Sequence, residues 1–130
     1  MGKDGQGQVT TKSNVLDTAR YSFHTRFEDG KEGTNPEELI GAANASCFAM
    51  QLSVLLSSAN FTATTLDVSA TVTFIDGAIT NIMLNLEGEV PEIDAERFQQ
   101  IAHKAKEVCP ISKVINTEIE LKVTLKNGLL

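Results

Sequence analysis

The sequence predicts an α+β protein with a largely antiparallel sheet packed on a long central helix. No charged residue occurs between Leu39 and Leu66, and this stretch directly follows several helix-start signals, which predicts one long apolar helix. Alternating apolar and polar residues then predict a hairpin and, beyond a second helical pattern, a final strand. Strands, a long helix, a hairpin, a helix and a strand in that order indicate an α+β fold rather than a βαβ repeat.

Short strands and a loop are predicted ahead of the long helix. Residues 1–8 are rich in Gly, Gln and Lys, and we expect them to be frayed. From Val9 to Phe27, Thr, Val, Tyr and Phe predict short strands with a turn at Ser13-Asn14. A charged loop, Glu28 to Gly33, leads to the helix.

The long helix is predicted to begin within five residues. Thr34 or Asn35 can cap it, Pro36 suits its first turn, and Glu37 and Glu38 face the positive end of its dipole. We expect the helix to begin here.

That helix is apolar on nearly every side. It is predicted to run to Ala59, with Asn60 at its C-terminal end. One antiparallel sheet offers a single apolar face, which cannot surround such a helix. We therefore predict an obligate homodimer built around paired central helices.

The second half carries the clearest local patterns. Thr64–Ile75 and Ala78–Val90 alternate around an Asp76-Gly77 turn and predict a hairpin. A second helix is predicted after Asp94, with apolar residues at helical spacing up to Val108, and Pro110 disfavours helical geometry at Cys109. A final strand is predicted over residues 117–126, with Ile119, Leu121, Val123 and Leu125 on one face.

Length and charge limit the functional classes. A chain of 130 residues predicts one domain, 1–130. A net charge of −6, with 11 scattered Lys and Arg, argues against nucleic-acid binding. Residues 1–9 lack the apolar core of a secretion signal, so cytoplasm is the expected compartment.

The charge-free stretch is long enough to cross a bilayer. Its polar residues would be poorly tolerated in lipid, which favours a helix buried in protein and no membrane association. These residues are Asn44, Ser46, Gln51, Ser53, Ser57, Ser58 and Asn60.

Two cysteines, Cys47 and Cys109, lie far apart in the sequence. They could be inert core thiols, metal ligands or a redox pair, since structural disulfides are rare in the cytosol. A metal is the weakest of these, because His24 and His103 stand alone and no CxxC or HxxxH spacing occurs. Residue patterns alone leave the other two open.

A redox role for Cys47 requires a stabilised thiolate. The cysteine lies too deep in the predicted helix for its dipole to help, so a cation must come from elsewhere, and Arg26 is the candidate, with Glu37 as its anchoring carboxylate. Glu37 lies ten residues before Cys47, about 15 Å along a regular helix and roughly 80° around it. Either the first turns unwind, or the partner chain supplies Arg26 or Glu37. Both residues could also be ordinary charges at a strand end and a helix start.

Two segments together resemble a known family. YSFHTRFEDGKEGTNPEELIGAANASCFAMQLS and the later KAKEVCPISKVI are similar to the OsmC subgroup of the OsmC/Ohr family of thiol peroxidases, over about Gln8 to Lys126. The combination of GTNPEEL, a cysteine ten residues after its first Glu, and a late VCPIS is specific to that family.

The resemblance implies an OsmC-like fold in an intertwined homodimer that reduces organic hydroperoxides and, less efficiently, hydrogen peroxide. It implies that Cys47 is the peroxidatic cysteine and Cys109 the resolving cysteine, and that Glu37 and Arg26 are the active-site glutamate and arginine. It implies no metal, haem or flavin. The expected reductant is a dithiol, a lipoylated protein rather than thioredoxin.

The sequence departs from the family in two places. The segment GKDGQGQV begins where members usually have an additional N-terminal strand, so a strand at the sheet edge is expected to be missing. Asn44 and Ser46 replace the more usual His and Ala, and Asn44 is expected to alter the pocket. The apolar wall of that pocket around Cys47 is expected to consist of Leu39, Ile40, Phe48 and Met50, which would favour a hydrophobic peroxide.

Two non-enzymatic functions fit the composition. One is a dimeric small-molecule binding protein with incidental thiols. The other is a redox sensor that forms the disulfide without turnover, although the sequence has no feature of an output domain.

Overall fold

The computed structural model describes residues 5–22, 25 and 33–127. The chain forms two compact units, residues 1–40 and 41–130, and each is described by itself. The expectation of a single domain stays a prediction.

The first unit contains a two-stranded antiparallel ribbon. Strands β1 (Gln6–Val9) and β2 (Ala19–Ser22) pair from Gln6 opposite Ser22 to Val9 opposite Ala19. The predicted turn is confirmed, since Asn14 lies between the strands with φ 62°. The expected fraying of residues 6–8 is wrong, because their backbone pairs with β2. Of the predicted loop over residues 28–33, all but Gly33 lies outside the described residues.

Helix α1 (Pro36–Ser58) begins in the first unit and continues into the second. Asn35 is its cap, since its Oδ1 accepts a hydrogen bond of 2.7 Å from the backbone N–H of Glu38. The helix ends in a Schellman turn, with Asn60 at φ 69° and the N–H of Phe61 donating to the carbonyl of Leu56 at 2.9 Å. The predicted start, length and end of the helix are confirmed.

Among residues 5–22, 25 and 33–127, one side of α1 is buried and the other is exposed. Its buried positions lie along one face, namely Glu37, Gly41, Asn44, Ala45, Phe48, Leu52 and Leu56. On the opposite side Met50 is 71% exposed and Val54 60% exposed. In length and apolar character α1 would suffice to cross a membrane, a property that the core helices of soluble proteins share.

The second unit contains a three-stranded sheet in the order β3-β4-β5. Strands β3 (Thr65–Ile75) and β4 (Ala78–Glu89) form the predicted antiparallel hairpin. Its turn has φ 51° at Asp76 and φ 81° at Gly77, as a type I′ turn requires. The last strand, β5 (Glu118–Leu125), runs parallel to β4. The predicted α+β class is confirmed, and the parallel pairing of β5 is a detail that strand periodicity does not encode.

Two helices connect β4 to β5. Asp94 caps α2 (Ala95–Val108) by accepting a 2.7 Å hydrogen bond from the N–H of Arg97, as predicted. Pro110 then begins the short helix α3 (Pro110–Val114). The Phe98 ring of α2 lies directly over Gly88 of β4, where the Cβ of any other residue would come within 2.5 Å of it. Gly88 therefore lets α2 approach the sheet closely.

The core of the second unit lies between the helices and the sheet. Its fully buried members come from α1, β4 and α2 and include Phe48, Leu52, Leu56, Ile82, Leu84, Leu86, Phe98 and Ala102. The buried face of α1 is thereby fixed on the core, and the opposite side, which includes Met50 and Val54, faces outward.

Candidate active site

Cys47 lies halfway along α1, at the edge between its buried and exposed sides. It is partly exposed and opens into a groove of about 460 Å³. The groove is mainly apolar and is lined by Ala43, Ser46, Cys47, Met50, Gln51, Val54, Pro110 and Ile111. The thiol is therefore accessible to a small molecule with an apolar part.

The predicted apolar wall around Cys47 is partly corrected. Met50 lines the groove. Phe48 does not contribute, because its side chain is fully buried in the core on the other side of the helix. Leu39 and Ile40, also expected in the wall, belong to the first unit.

Cys109 lies between α2 and α3 and is fully buried. Pro110 ends α2, and Cys109 takes the extended conformation with φ −63° and ψ 119°. As the cap of α3, its Sγ accepts a hydrogen bond of 3.5 Å from the N–H of Ser112. The break in the helix thus aims the thiol at the backbone of the following turn.

The fold brings the two thiols together. The side chains of Cys47 and Cys109 share a hydrogen bond, although 62 positions (109 − 47) separate them in the sequence. The backbone N–H of Ile111 reaches both sulfurs. Because the two thiols share one hydrogen bond, their ionisations are linked.

The surroundings shift the two thiols in opposite directions. Burial first, and then the hydrogen bond and charge of Cys109, raise the pKa of Cys47 above its ordinary value, against the opposing Ile111 N–H. Burial also acts to raise the pKa of Cys109, but hydrogen bonds from Cys47, Ser112 and Ile111 outweigh it, and that pKa is lowered. Within this cluster, Cys47 is the hydrogen-bond donor and Cys109 the acceptor.

A buried amide supports this arrangement. Asn44 lies one turn before Cys47 and is fully buried, and its Nδ2 donates a 3.0 Å hydrogen bond to the Ser112 hydroxyl. Its Oδ1 has no hydrogen-bond partner among the residues that the structure describes. Leaving such an acceptor unpaired costs about 1–3 kcal/mol. The sequence predicted only that Asn44 alters the pocket, and it indicated no role for Ser112 in the site.

Of the two charged residues predicted for the site, the structure describes Glu37 and not Arg26. Glu37 is buried in the first turn of α1, whereas Arg26 lies outside the described residues. The first turns of α1 are regular, so the alternative in which they unwind to bring Glu37 toward the Cys47 of the same chain is wrong. Cys47 lies ten positions after Glu37, which corresponds to about 15 Å along the helix. The roles of both residues stay predictions.

The described residues offer no metal site. Within 5–22, 25 and 33–127, no three His, Cys, Asp or Glu side chains cluster in a way that could hold a metal ion. Among these residues, the chemistry available at the groove is that of the Cys47 thiol that lines it and of the buried Cys109 thiol behind it.

Comparison with known proteins identifies the family. Residues 28–124 match the family described as OsmC-like protein. The chain belongs to this family. It is 51% identical over 129 residues to peroxiredoxin OsmC of Escherichia coli (strain K12), a match that covers 96% of this chain and 90% of the relative.

More distant relatives belong to the same group. The chain is 29% identical over 124 residues to the organic hydroperoxide resistance protein OhrB of Bacillus subtilis (strain 168), covering 92% of this chain and 89% of the relative. The crystal structure of OhrB of Bacillus subtilis superposes with a TM-score of 0.69 at 27% identity and covers 97% and 93% of the two chains. An OsmC-like protein of Vibrio cholerae, at 14% identity and a TM-score of 0.68, shows the likeness of fold alone.

These relatives confirm two expectations from the sequence. The chain has the OsmC-like fold, and it is a peroxidase of the OsmC/Ohr family. The substrate, the order of the chemical steps, the partner molecules and the roles of individual residues are matters for proposal.

Proposed function

We propose that this peroxidase reduces organic hydroperoxides, and hydrogen peroxide less efficiently, through a Cys47 sulfenic acid and a Cys47–Cys109 disulfide, in defence against oxidative stress. The observation that carries the proposal is the pairing of an accessible thiol in an apolar groove, Cys47, with a buried thiol, Cys109, that is close enough to raise the pKa of Cys47. An inert pair of core thiols would not need the groove.

In the first step, the Cys47 thiolate attacks one oxygen of the hydroperoxide. A sulfur–oxygen bond forms, the O–O bond breaks, Cys47 becomes a sulfenic acid, and the alkoxide leaves and takes up a proton to become an alcohol. Cys47 is oxidised by two electrons and the hydroperoxide is reduced by two. The partial exposure of Cys47 fits this role.

In the second step, the Cys109 thiolate attacks the Cys47 sulfur. The disulfide forms and the sulfenic oxygen leaves as hydroxide, which is protonated to water. The lowered pKa of Cys109, which hydrogen bonds produce against the effect of burial, supplies the thiolate. The disulfide also protects Cys47 from further oxidation to sulfinic acid.

The first step needs a positive charge near Cys47. Burial and Cys109 raise its pKa, so a cation must favour the thiolate, and a guanidinium stays charged at any working pH. We assign this role to Arg26, with Glu37 as its anchor. Since regular helical geometry keeps Glu37 distant from Cys47 of its own chain, the partner chain of a homodimer supplies one of these groups.

A homodimer is also supported by the exposed side of α1. Met50 and Val54 present apolar surface there, and a second copy of this helix has the chemistry to cover it. A dithiol reductant, of which a lipoylated protein is the expected example, completes the cycle by thiol–disulfide exchange. The expected compartment is the cytoplasm.

The groove supports selectivity for organic hydroperoxides. Its lining is mainly apolar, so an alkyl or aryl substituent gains from burial in it, which hydrogen peroxide cannot. Comparable kcat/KM for cumene hydroperoxide and hydrogen peroxide would contradict this part of the proposal.

The decisive variant is Cys47→Ser. We expect it to lose all reduction of cumene hydroperoxide, with reduced lipoamide as the dithiol, while it keeps its fold. A binding protein with incidental thiols would instead show no turnover in the wild type and the same affinity for an apolar ligand in both forms. Turnover that persists in Cys47→Ser would contradict the proposal.

A further inference from the structure

The cluster around Cys109 contains more than the two thiols. Asn44 Nδ2 donates to the Ser112 hydroxyl at 3.0 Å, and the Ser112 backbone N–H donates to the Cys109 Sγ at 3.5 Å. Hydrogen bonding by the Ser112 side chain also lowers the pKa of Cys109. Asn44 and Cys47 are one turn apart on the same helix. The buried amide, the serine and the two thiols therefore form one continuous chain of hydrogen bonds.

The direction of each hydrogen bond follows from the inventory of donors. A serine hydroxyl has one hydrogen and two lone pairs. Because the amide of Asn44 occupies a lone pair of the Ser112 oxygen, the hydroxyl hydrogen is left to point at an acceptor, which is the Cys109 sulfur. An amide in this place fixes the hydroxyl as a donor toward the thiol.

The cost of the arrangement indicates that it is not simple packing. Asn44 is fully buried among apolar core residues, and its Oδ1 lacks a partner within the described part of the chain. A leucine, whose side chain has the same number and branching of heavy atoms, would leave no unpaired oxygen. Asparagine provides a hydrogen-bond donor to Ser112, which leucine cannot provide.

We infer that Asn44 and Ser112 are positioning residues for the second chemical step, which hold Cys109 as the hydrogen-bond acceptor and thiolate that attacks the oxidised Cys47. This inference rests on the proposed function. The groups of the described chain that face the Cys109 sulfur are the Cys47 thiol from α1 and Ser112 and Ile111 from α3. Neither Asn44 nor Ser112 takes part in bond making.

The test separates the two chemical steps in Ser112→Ala. The protein is mixed with one equivalent of cumene hydroperoxide, and sulfenic acid formation and disulfide formation are timed separately by rapid quenching and mass spectrometry. We expect sulfenic acid formation not to slow, because a less ionised Cys109 raises the pKa of Cys47 less. Disulfide formation should slow about threefold to tenfold below neutral pH, because a smaller fraction of Cys109 is thiolate.

The pH dependence of the rate of disulfide formation distinguishes an effect on the ionisation of Cys109 from a general loss of structure. In Ser112→Ala the pH at half-maximal disulfide formation should rise, and at high pH the rate should equal or exceed that of wild type, because a more basic thiolate is the better nucleophile. Ser112→Thr keeps the hydroxyl and should restore the wild-type profile. Ser69→Ala removes an exposed hydroxyl from β3 and serves as the matched control.

Asn44→Leu tests the amide. We expect the same change of profile as in Ser112→Ala, and no additional change in the double variant, because Asn44 acts through Ser112. Equal slowing at every pH, or an unchanged profile in Ser112→Ala, would overturn the inference. Survival of both thiols in wild type would instead contradict the proposed function itself, and the inference with it.

Discussion

The Cys47 and Cys109 side chains, one halfway along α1 and one at the break between α2 and α3, share a hydrogen bond at the apolar groove. Cys47 is accessible and Cys109 is fully buried. This asymmetry suits a pair in which one thiol meets the substrate and the other meets only its partner. It also means that each thiol shifts the ionisation of the other.

The first prediction concerns Cys109→Ala. The pKa of Cys47 is raised by burial and then by the hydrogen bond and charge of Cys109. Removing the Cys109 sulfur removes both of its contributions, so the midpoint pH for alkylation of Cys47 by iodoacetamide should fall, with faster alkylation at neutral pH. A midpoint that stays in place or rises would show that burial alone sets the ionisation of Cys47.

The second prediction concerns Arg26. Arg26→Ala should slow sulfenic acid formation at Cys47 by about 100-fold or more, because the thiolate and the departing alkoxide both lose a positive charge. The rate is measured with one equivalent of cumene hydroperoxide. Arg20→Ala is the control, since Arg20 is an exposed residue of β2. Equal rates for the two variants would remove Arg26 from the site.

The third prediction tests whether the site is composed across subunits. Mixed dimers are prepared with Cys47→Ser on one chain and Arg26→Ala on the other. If each Arg26 serves the Cys47 of the partner chain, both defects fall in one site and the mixed dimer should keep about half of wild-type activity. If Arg26 serves its own chain, both sites are lost. The half-active result would agree with a site shared between subunits, and an inactive mixed dimer would contradict it for Arg26.

The fourth prediction concerns the exposed side of α1. Met50→Glu should weaken dimerisation at least tenfold with little loss of stability of the isolated chain, because Met50 is 71% exposed there. Sedimentation velocity over a range of concentrations measures this. Ile75→Glu is a matched control at the end of β3, where Ile75 is 53% exposed. A Met50→Glu protein that sediments as wild type would show that this side of α1 is not the interface.

Much of the fold could be predicted because local signals and tertiary structure agree. The capping residues before α1 and α2 and the Asp76-Gly77 turn act over a few residues and form as predicted. The parallel pairing of β5 with β4 could not be predicted, since alternation specifies which face is buried but not the neighbouring strand. The pairing of Gln6–Val9 with β2 was also missed, because its polar composition carries little strand signal.

The site was predictable only in part. Cysteine residues suggest redox chemistry by their residue type alone. Ser112 does not, because its place in the site depends on its contact with Asn44, which lies 68 positions away in the sequence. The sequence did contain one signal for the site, a polar residue, Asn44, on the buried side of an apolar helix. Helical spacing could have identified Asn44 as such a residue. The predicted direction of the Phe48 side chain was wrong, because the sequence of a helix that is apolar on every side does not indicate which face packs on the core.

The central claim is that Cys47 and Cys109 are oxidised together by one molecule of hydroperoxide. Titration of free thiols after one equivalent of cumene hydroperoxide, with mass spectrometry of the product, tests it most directly. Wild type should lose both thiols to an intramolecular Cys47–Cys109 disulfide, and Cys109→Ser should stop at a Cys47 sulfenic acid. Survival of both thiols in the wild-type protein would contradict the account.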